Sequence, residues 1–248
     1  ISEVEPKDIT ISTKWGYTYV ADFNRNAKVH EIKEHSIGKL NEQWEISKHL
    51  LPYLNIYQIH SATLDSGVLE NREVLERLNQ LKQEYNLKIG LSTSGDNQNE
   101  IIQKALSIDV NNKALFDSFQ ITFNVFDQSL LKISHLLQQE NKTIIIKEAL
   151  ANGRVFPNAD YNHYQHTYDL LESLSNKYDT SIDAVALRFC QDTVNPYSVL
   201  SGVAEKDHLS SNLLANNFQL TSEEINKIKT LAINPISYWK ERKQLPWI

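Results

Sequence analysis

The sequence predicts an α/β protein built on a parallel sheet. Strand-like and helix-like runs alternate about six times along 248 residues. The strands are short and apolar on both faces, as happens when helices cover a sheet. No Pro/Gly-rich linker, close repeat or low-complexity tract divides the chain, and a length near 250 suits one (β/α) barrel.

Residues 9–15 read as the first strand, with Ile9, Ile11 and Thr13 alternating before Lys14. A polar loop with aromatics spans 16–27. A helix is expected over 29–51 on Ile32, Ile37, Leu40, Trp44 and Leu50, ended by Pro52. Strands follow at 54–59, 87–91, 118–123, 143–146 and 198–200. Helices are expected at 68–85, 99–108, 128–139, 163–178, 182–190, 207–216 and 222–231. The last opens on Thr221-Ser222-Glu223-Glu224, a capping pattern. Six units leave two architectures open: an open doubly wound sheet, or an eight-stranded barrel whose first two units lie upstream of Ile1.

Composition narrows the function. It is ordinary for a globular protein, 41% hydrophobic and 23% charged. A net charge of −6 argues against broad nucleic-acid binding. The single cysteine, Cys190, excludes an internal disulfide and a cysteine-based metal site and fits a reducing, cytoplasmic setting. No run approaches the ~20 apolar residues of a membrane helix, and no signal-peptide pattern is visible. Methionine is absent and the chain opens on the polar ISEVEPKD, so it reads as the middle of a longer protein. There is no GxGxxG, P-loop, HExxH or GxSxG. The histidines show no convincing metal pairing; His163 and His166 share a helical face without a third ligand.

In either architecture chemistry gathers at the C-terminal ends of the strands. The polar residues there are Lys14, His60, Ser92 with Thr93, Gln120 with Asn124, Lys147 with Glu148, and Ser201 with Gly202. Lys14 is either a surface lysine or a buried cation that lowers a neighbouring acid's pKa. His60 either satisfies a core hydrogen bond or donates to a substrate carbonyl. Gln120 is a buried amide that needs partners or holds a planar ring. The segment KEALANGR, 147–154, is a solvated loop or a phosphate loop, with Gly153 for the turn and Arg154 for the anion. The passage from Ser201 and Gly202 towards Asn212 runs from strand to helix, a geometry that can bind phosphate.

Taken in order, these strand ends resemble the aldo-keto reductase family. ISTKWG is similar to the strand ending in the family's catalytic lysine, YQIHSA to the strand ending in its histidine, and IGLSTSG to its Gly-x-Ser-Asn segment. SFQITFN resembles the strand of the cofactor-contacting glutamine, and KEALANGR and LSG with its helix resemble the two cofactor loops. The resemblance runs from about residue 9 to 217. It implies a (β/α)8 TIM-type barrel with residues 1–248 as a single domain, the first two units lying outside it. It also implies NAD(P)-dependent hydride transfer to aldehydes or ketones, or oxidation of the matching alcohols.

By the same resemblance Lys14 is the cation that acidifies a tyrosine, and His60 orients the substrate carbonyl. Ser92, Thr93 and Gln120 face the nicotinamide. Lys147 stands where the family often has a stacked aromatic, a contact lysine cannot make in the same way. Leu150, Asn152 and Arg154 line the pyrophosphate, and Gly202, Val203, His208 and Asn212 surround the adenosine end. NADP(H) is favoured over NAD(H), with Lys206 as the replacement cation for the 2′-phosphate. The family's tyrosine and aspartate precede the lysine strand and are not among these residues; Tyr17 and Tyr19 follow Lys14 instead. The implied substrate is a small carbonyl or sugar-like molecule. Phe23, Tyr161, Tyr164 and Trp239 are candidate pocket walls, and the tail YWKERKQLPWI either closes over the barrel mouth or packs outside it. Rival readings are a catalytically silent nicotinamide-binding sensor or subunit, a non-functional fragment, and another barrel enzyme such as a metal hydrolase. The last lacks the carboxylate and histidine cluster it needs.

Overall fold

The computed structural model describes residues 9–24 and 26–246; ISEVEPKD, one residue of the aromatic loop, and Trp247 and Ile248 of the tail lie outside them. The chain divides into two compact units, residues 1–120 with 246–248, and residues 121–245.

In the first unit the parallel strands are β1 (Ile11–Trp15), β4 (Leu54–Ala62), β5 (Lys88–Thr93) and β8 (Ser118–Thr122), the last shared with the second unit. Helices α1 (Ile37–Ser47), α2 (Arg72–Tyr85) and α3 (Gln98–Leu106) connect them. Two short antiparallel hairpins branch off: β2 (Tyr17–Tyr19) with β3 (Glu31–Lys33), and β6 (Asp109–Val110) with β7 (Lys113–Ala114).

The 16–27 loop and the start of the 29–51 helix therefore need correction. Ser36 caps the backbone N–H of Lys39, so the helix begins at Ile37, and the residues before it pair as a strand. Ile32, taken for a core position, is 52% exposed. The apolar face of α1 is real further on: Leu40 and Trp44 are buried, and the Trp44 ring meets Tyr57 and Tyr85 at 5.1 and 5.0 Å. Full burial of such side chains stabilises by roughly 1.5–3 kcal/mol each.

The second unit holds β9 (Thr143–Lys147) and β10 (Ser198–Val199), with α4 (Ser134–Gln139), α5 (Gln165–Lys177), α6 (Ile182–Val194), α7 (Lys206–Leu213), α8 (Ser222–Lys229) and α9 (Pro235–Arg242). The Thr221/Glu224 capping box forms as its spacing predicts. The expected 128–139 helix is broken at Ile133, with a 3-10 turn over Ser129–Lys132 ahead of α4. Helix α9 was not anticipated, although Asn234 caps it and Pro235 opens it.

The strand order is β1-β4-β5-β8-β9-β10. The pairs β1/β4, β4/β5, β5/β8 and β9/β10 are parallel. A doubly wound sheet reverses its order at a switch point, whereas this order follows the chain throughout. That decides between the two architectures: these are consecutive units of a (β/α) barrel, with six strands in its sheet among the described residues. Among the described residues no helix is long and apolar enough to cross a membrane.

Candidate functional site

The first unit supplies five of the expected site residues. Lys14 lies one residue from the end of β1, paired in register with Gln58 of β4. Its side chain is half-buried, and burial alone pushes its ammonium pKa down; no charged neighbour among the described residues offsets the shift.

His60 is half-buried near the end of β4, where the strand bulges between Ile59 and Ala62. Ser61 takes a left-handed φ of 52° there, and its N–H donates to Ser92 Oγ at 2.8 Å. The ring of Tyr17 lies 4.5 Å from that of His60. From the other side His35 Nε2 donates to the His60 carbonyl at 2.9 Å, a tautomer fixed by the acceptor. Burial holds His35 down to about 4, so it is neutral at pH 7. Gly16 makes this packing possible: at φ 112° a Cβ would stand 2.4 Å from His35 Cδ2.

Ser92 and Thr93 close β5, both buried. Ser92 Oγ holds the bulge, and Thr93 Oγ1 donates to Gln98 Oε1 at 3.2 Å. Gln120 pairs in register with Ser92, and its Oε1 accepts from Gln58 Nε2 at 3.4 Å. Gln58 also donates to Ser12 Oγ at 2.7 Å. The sequence did not single out Gln58, because an amide inside an apolar strand has no visible partner until the neighbouring strands are known.

The second unit supplies the rest. Leu150, Asn152 and Gly202 line a cleft of about 380 Å³ together with Glu148, Gly153 and Ser201. Glu148, Ala151, Asn152, Gly153 and Gly202 all have positive φ. These left-handed positions close tight turns, in which Ala151 N–H and Gly153 N–H donate to the carbonyls of Glu148 and Leu150 at 2.8 and 2.9 Å. Arg154 is placed differently from the expected phosphate contact: it is 2% exposed, and its guanidinium donates to the carbonyls of Ala151 and Tyr238 and to Glu241. It also stacks at 4.2 Å on the Tyr238 ring. Its Nη2 is buried without a hydrogen-bond partner among the described residues.

Val203 is half-buried and His208 exposed at the start of α7. Asn212 is buried; with its amide nitrogen turned to its acceptors it donates to the Asp183 carboxylate and, at 3.3 Å, to the His208 carbonyl. Lys206 opens α7 exposed, between the exposed Glu205 and Asp207.

Lys147 ends β9 within a buried polar cluster that sequence reasoning missed. Its ammonium lies 3.7 Å from Glu148 Oε1 and 5.5 Å from the centre of the Trp239 ring. Burial dominates its electrostatics and lowers its pKa, against the pull of Glu148. Glu148 accepts from Arg242 Nε at 3.2 Å and from the Tyr238 hydroxyl at 3.0 Å. Trp239 Nε1 donates at 3.2 Å to Asp127, which is fully buried and whose pKa burial raises. Asn124 donates to the Glu148 carbonyl and the Tyr238 hydroxyl, each at 3.0 Å. Of the proposed pocket walls, Trp239 and Tyr164 are thus tied by hydrogen bonds, Tyr164 to Glu241 at 2.6 Å, and Phe23 is 88% exposed. His163 pairs with Glu241 at 3.2 Å. Among the described residues no group of three or more His, Cys, Asp or Glu is placed to hold a metal ion.

The model of the Aldo/keto reductase family matches residues 1–233. No curated protein matches the chain. Among solved structures it is similar to an aldo-keto reductase from Bacillus halodurans in its holo form. Identity is 24%, covering 92% of this chain and 74% of that one, with a TM-score of 0.71. It is also similar to a glycerol dehydrogenase from Gluconobacter oxydans. There identity is 19%, covering 93% of this chain and 74% of that one, with a TM-score of 0.67. At these identities the two structures speak for the fold.

Proposed function

The chain belongs to the aldo/keto reductase family, and on that premise we propose that it is an NAD(P)-dependent oxidoreductase for small aldehydes, ketones or sugar-like carbonyls, working in the cytoplasm. The observation that carries the reading is Lys14: a half-buried strand-end cation whose burial no neighbouring charge offsets among the described residues. Such a group is costly unless it serves a partner.

The cleft from Glu148 to Gly202 fits a dinucleotide pyrophosphate, on the evidence of its volume. When bound, the dinucleotide supplies the hydride. Leu150, Asn152 and Gly202 would hold it, with Ser92, Thr93 and Gln120 on the nicotinamide and Val203, His208 and Asn212 on the adenosine. Arg154 would act at this loop by fixing it from behind. An NADP(H) preference would rest on Lys206, the cation at the start of α7.

By the family resemblance Lys14 would acidify the hydroxyl of the family's tyrosine, which is not among these 248 residues, and that hydroxyl would protonate the carbonyl oxygen. His60, held by Tyr17 and by its own carbonyl's bond to His35, donates to that oxygen as negative charge develops.

The test is loss of NADPH absorbance with a panel of small aldehydes and ketoses, with Lys14→Met as control. Turnover that vanishes in the variant supports the reading. Saturable NADPH binding without turnover on any substrate replaces it with the nicotinamide-binding sensor or subunit.

A further inference from the structure

Glu148 poses a physical problem for the dinucleotide cleft. Glu148 is one of the residues lining a space expected to take a pyrophosphate, and its side chain is 13% exposed; like charges at close range repel in a partly desolvated site. Its backbone holds a left-handed φ of 54° in a non-glycine residue, a conformation that persists where the surroundings over-determine it. The surroundings do so. The Glu148 carbonyl accepts from Ala151 N at 2.8 Å and from Asn124 Nδ2 at 3.0 Å. One carboxylate oxygen takes Arg242 Nε at 3.2 Å, and the other takes the Tyr238 hydroxyl at 3.0 Å. Lys147 adds a second cation at 3.7 Å, beyond hydrogen-bonding reach. Both direct donors come from α9, Pro235–Arg242, which lies beyond the 1–233 matched by the family model.

We propose that α9 is the element that makes this cleft competent for an anion. Arg242 and Tyr238 hold the Glu148 carboxylate, cancel its charge and fix its direction. They are positioning residues for the dinucleotide, and the inference rests on the dinucleotide reading above. Helix α9 is itself anchored without Arg242. Trp239 donates to buried Asp127, and Arg154 stacks on Tyr238 and bonds its carbonyl. Removing the Arg242 head therefore leaves the helix in place and the Glu148 charge less compensated.

The experiment is calorimetric titration of NADPH into the full chain and three variants, with the melting temperature of each. Arg242→Ala is expected to bind on the order of tenfold more weakly, the effect of one uncompensated charge several ångströms from the ligand. Glu148→Gln, whose amide oxygen still accepts from Tyr238, is expected to bind at least as tightly as the parent. The Arg242→Ala/Glu148→Gln double variant is expected to recover the Glu148→Gln affinity. The inference is overturned if Arg242→Ala binds like the parent, if its loss persists in the double variant, or if Glu148→Gln binds more weakly than the parent. A parent chain that binds no NADPH at all overturns the dinucleotide reading, and the inference with it.

Discussion

In the first unit Lys14 stands half-buried at a strand end with no carboxylate offsetting its burial among the described residues. In the second, Lys147 ends β9 and lies near Glu148 and the Trp239 ring, with Asp127 and Arg242 contributing to its field. The two lysines share a direction of pKa shift and its first cause, burial. They differ in whether the surrounding fold answers the charge. An unanswered cation is a cost to stability that a functional partner offsets; an answered one is part of the structure.

Substitution separates the two most sharply. Lys14→Met should lower carbonyl turnover by roughly 10²–10⁴-fold, while raising stability by up to about 1 kcal/mol, because a desolvated cation is removed. Lys147→Met should move stability the other way, by about 1–3 kcal/mol, because it weakens the compensation of Glu148. Thermal melts of both variants measure this; two shifts of the same sign would erase the distinction.

A pH titration of stability comes next in size. The unfolded chain protonates the His35 imidazole near 6.5 and the folded chain only near 4. The unfolded state therefore binds more protons between those values. Stability is full above pH 6.5, falls as pH drops towards 4, and loses on the order of 2–3 kcal/mol from this group. Denaturant melts should show the loss, and His35→Phe should flatten the slope across that window.

Trp239→Phe is expected to have a smaller effect. It keeps a ring beside Lys147 but removes the Nε1 donor from buried Asp127. Stranding that acceptor should cost about 1–3 kcal/mol, read as a lowered melting temperature. The loss should shrink at acid pH: with its raised pKa, Asp127 protonates early in the folded state and is then stranded as a neutral group.

Much of the fold was legible because parallel strands covered by helices must be apolar on both faces. Runs such as Ile144 to Ile146 announce themselves by that, and β8 with Phe119 and Ile121 did the same. The β2/β3 hairpin was not legible. Its Ile32 is apolar yet exposed, so its spacing to Ile37 and Leu40 imitates a longer helix face that does not exist. Helix α9 carried a readable start in Asn234-Pro235, but its short amphipathic stretch looks like a tail. That Lys14, His60 and Ser92 stand at or near strand ends could be read from the sequence. The cluster of Asp127, Glu148, Tyr238 and Arg242 could not, because its members meet only after roughly a hundred residues of chain are folded between them. Arg154 shows the converse: its position suggests a phosphate contact, and its burial against Tyr238 and Glu241 is a tertiary fact.

Amide hydrogen exchange of the full chain with and without NADPH tests the dinucleotide cleft most directly. Slowed exchange is predicted at residues 148–154 and 200–212, with little change around the 109–114 hairpin. Unchanged exchange at 148–154 and 200–212 under saturating NADPH would contradict the proposal that this cleft holds the cofactor.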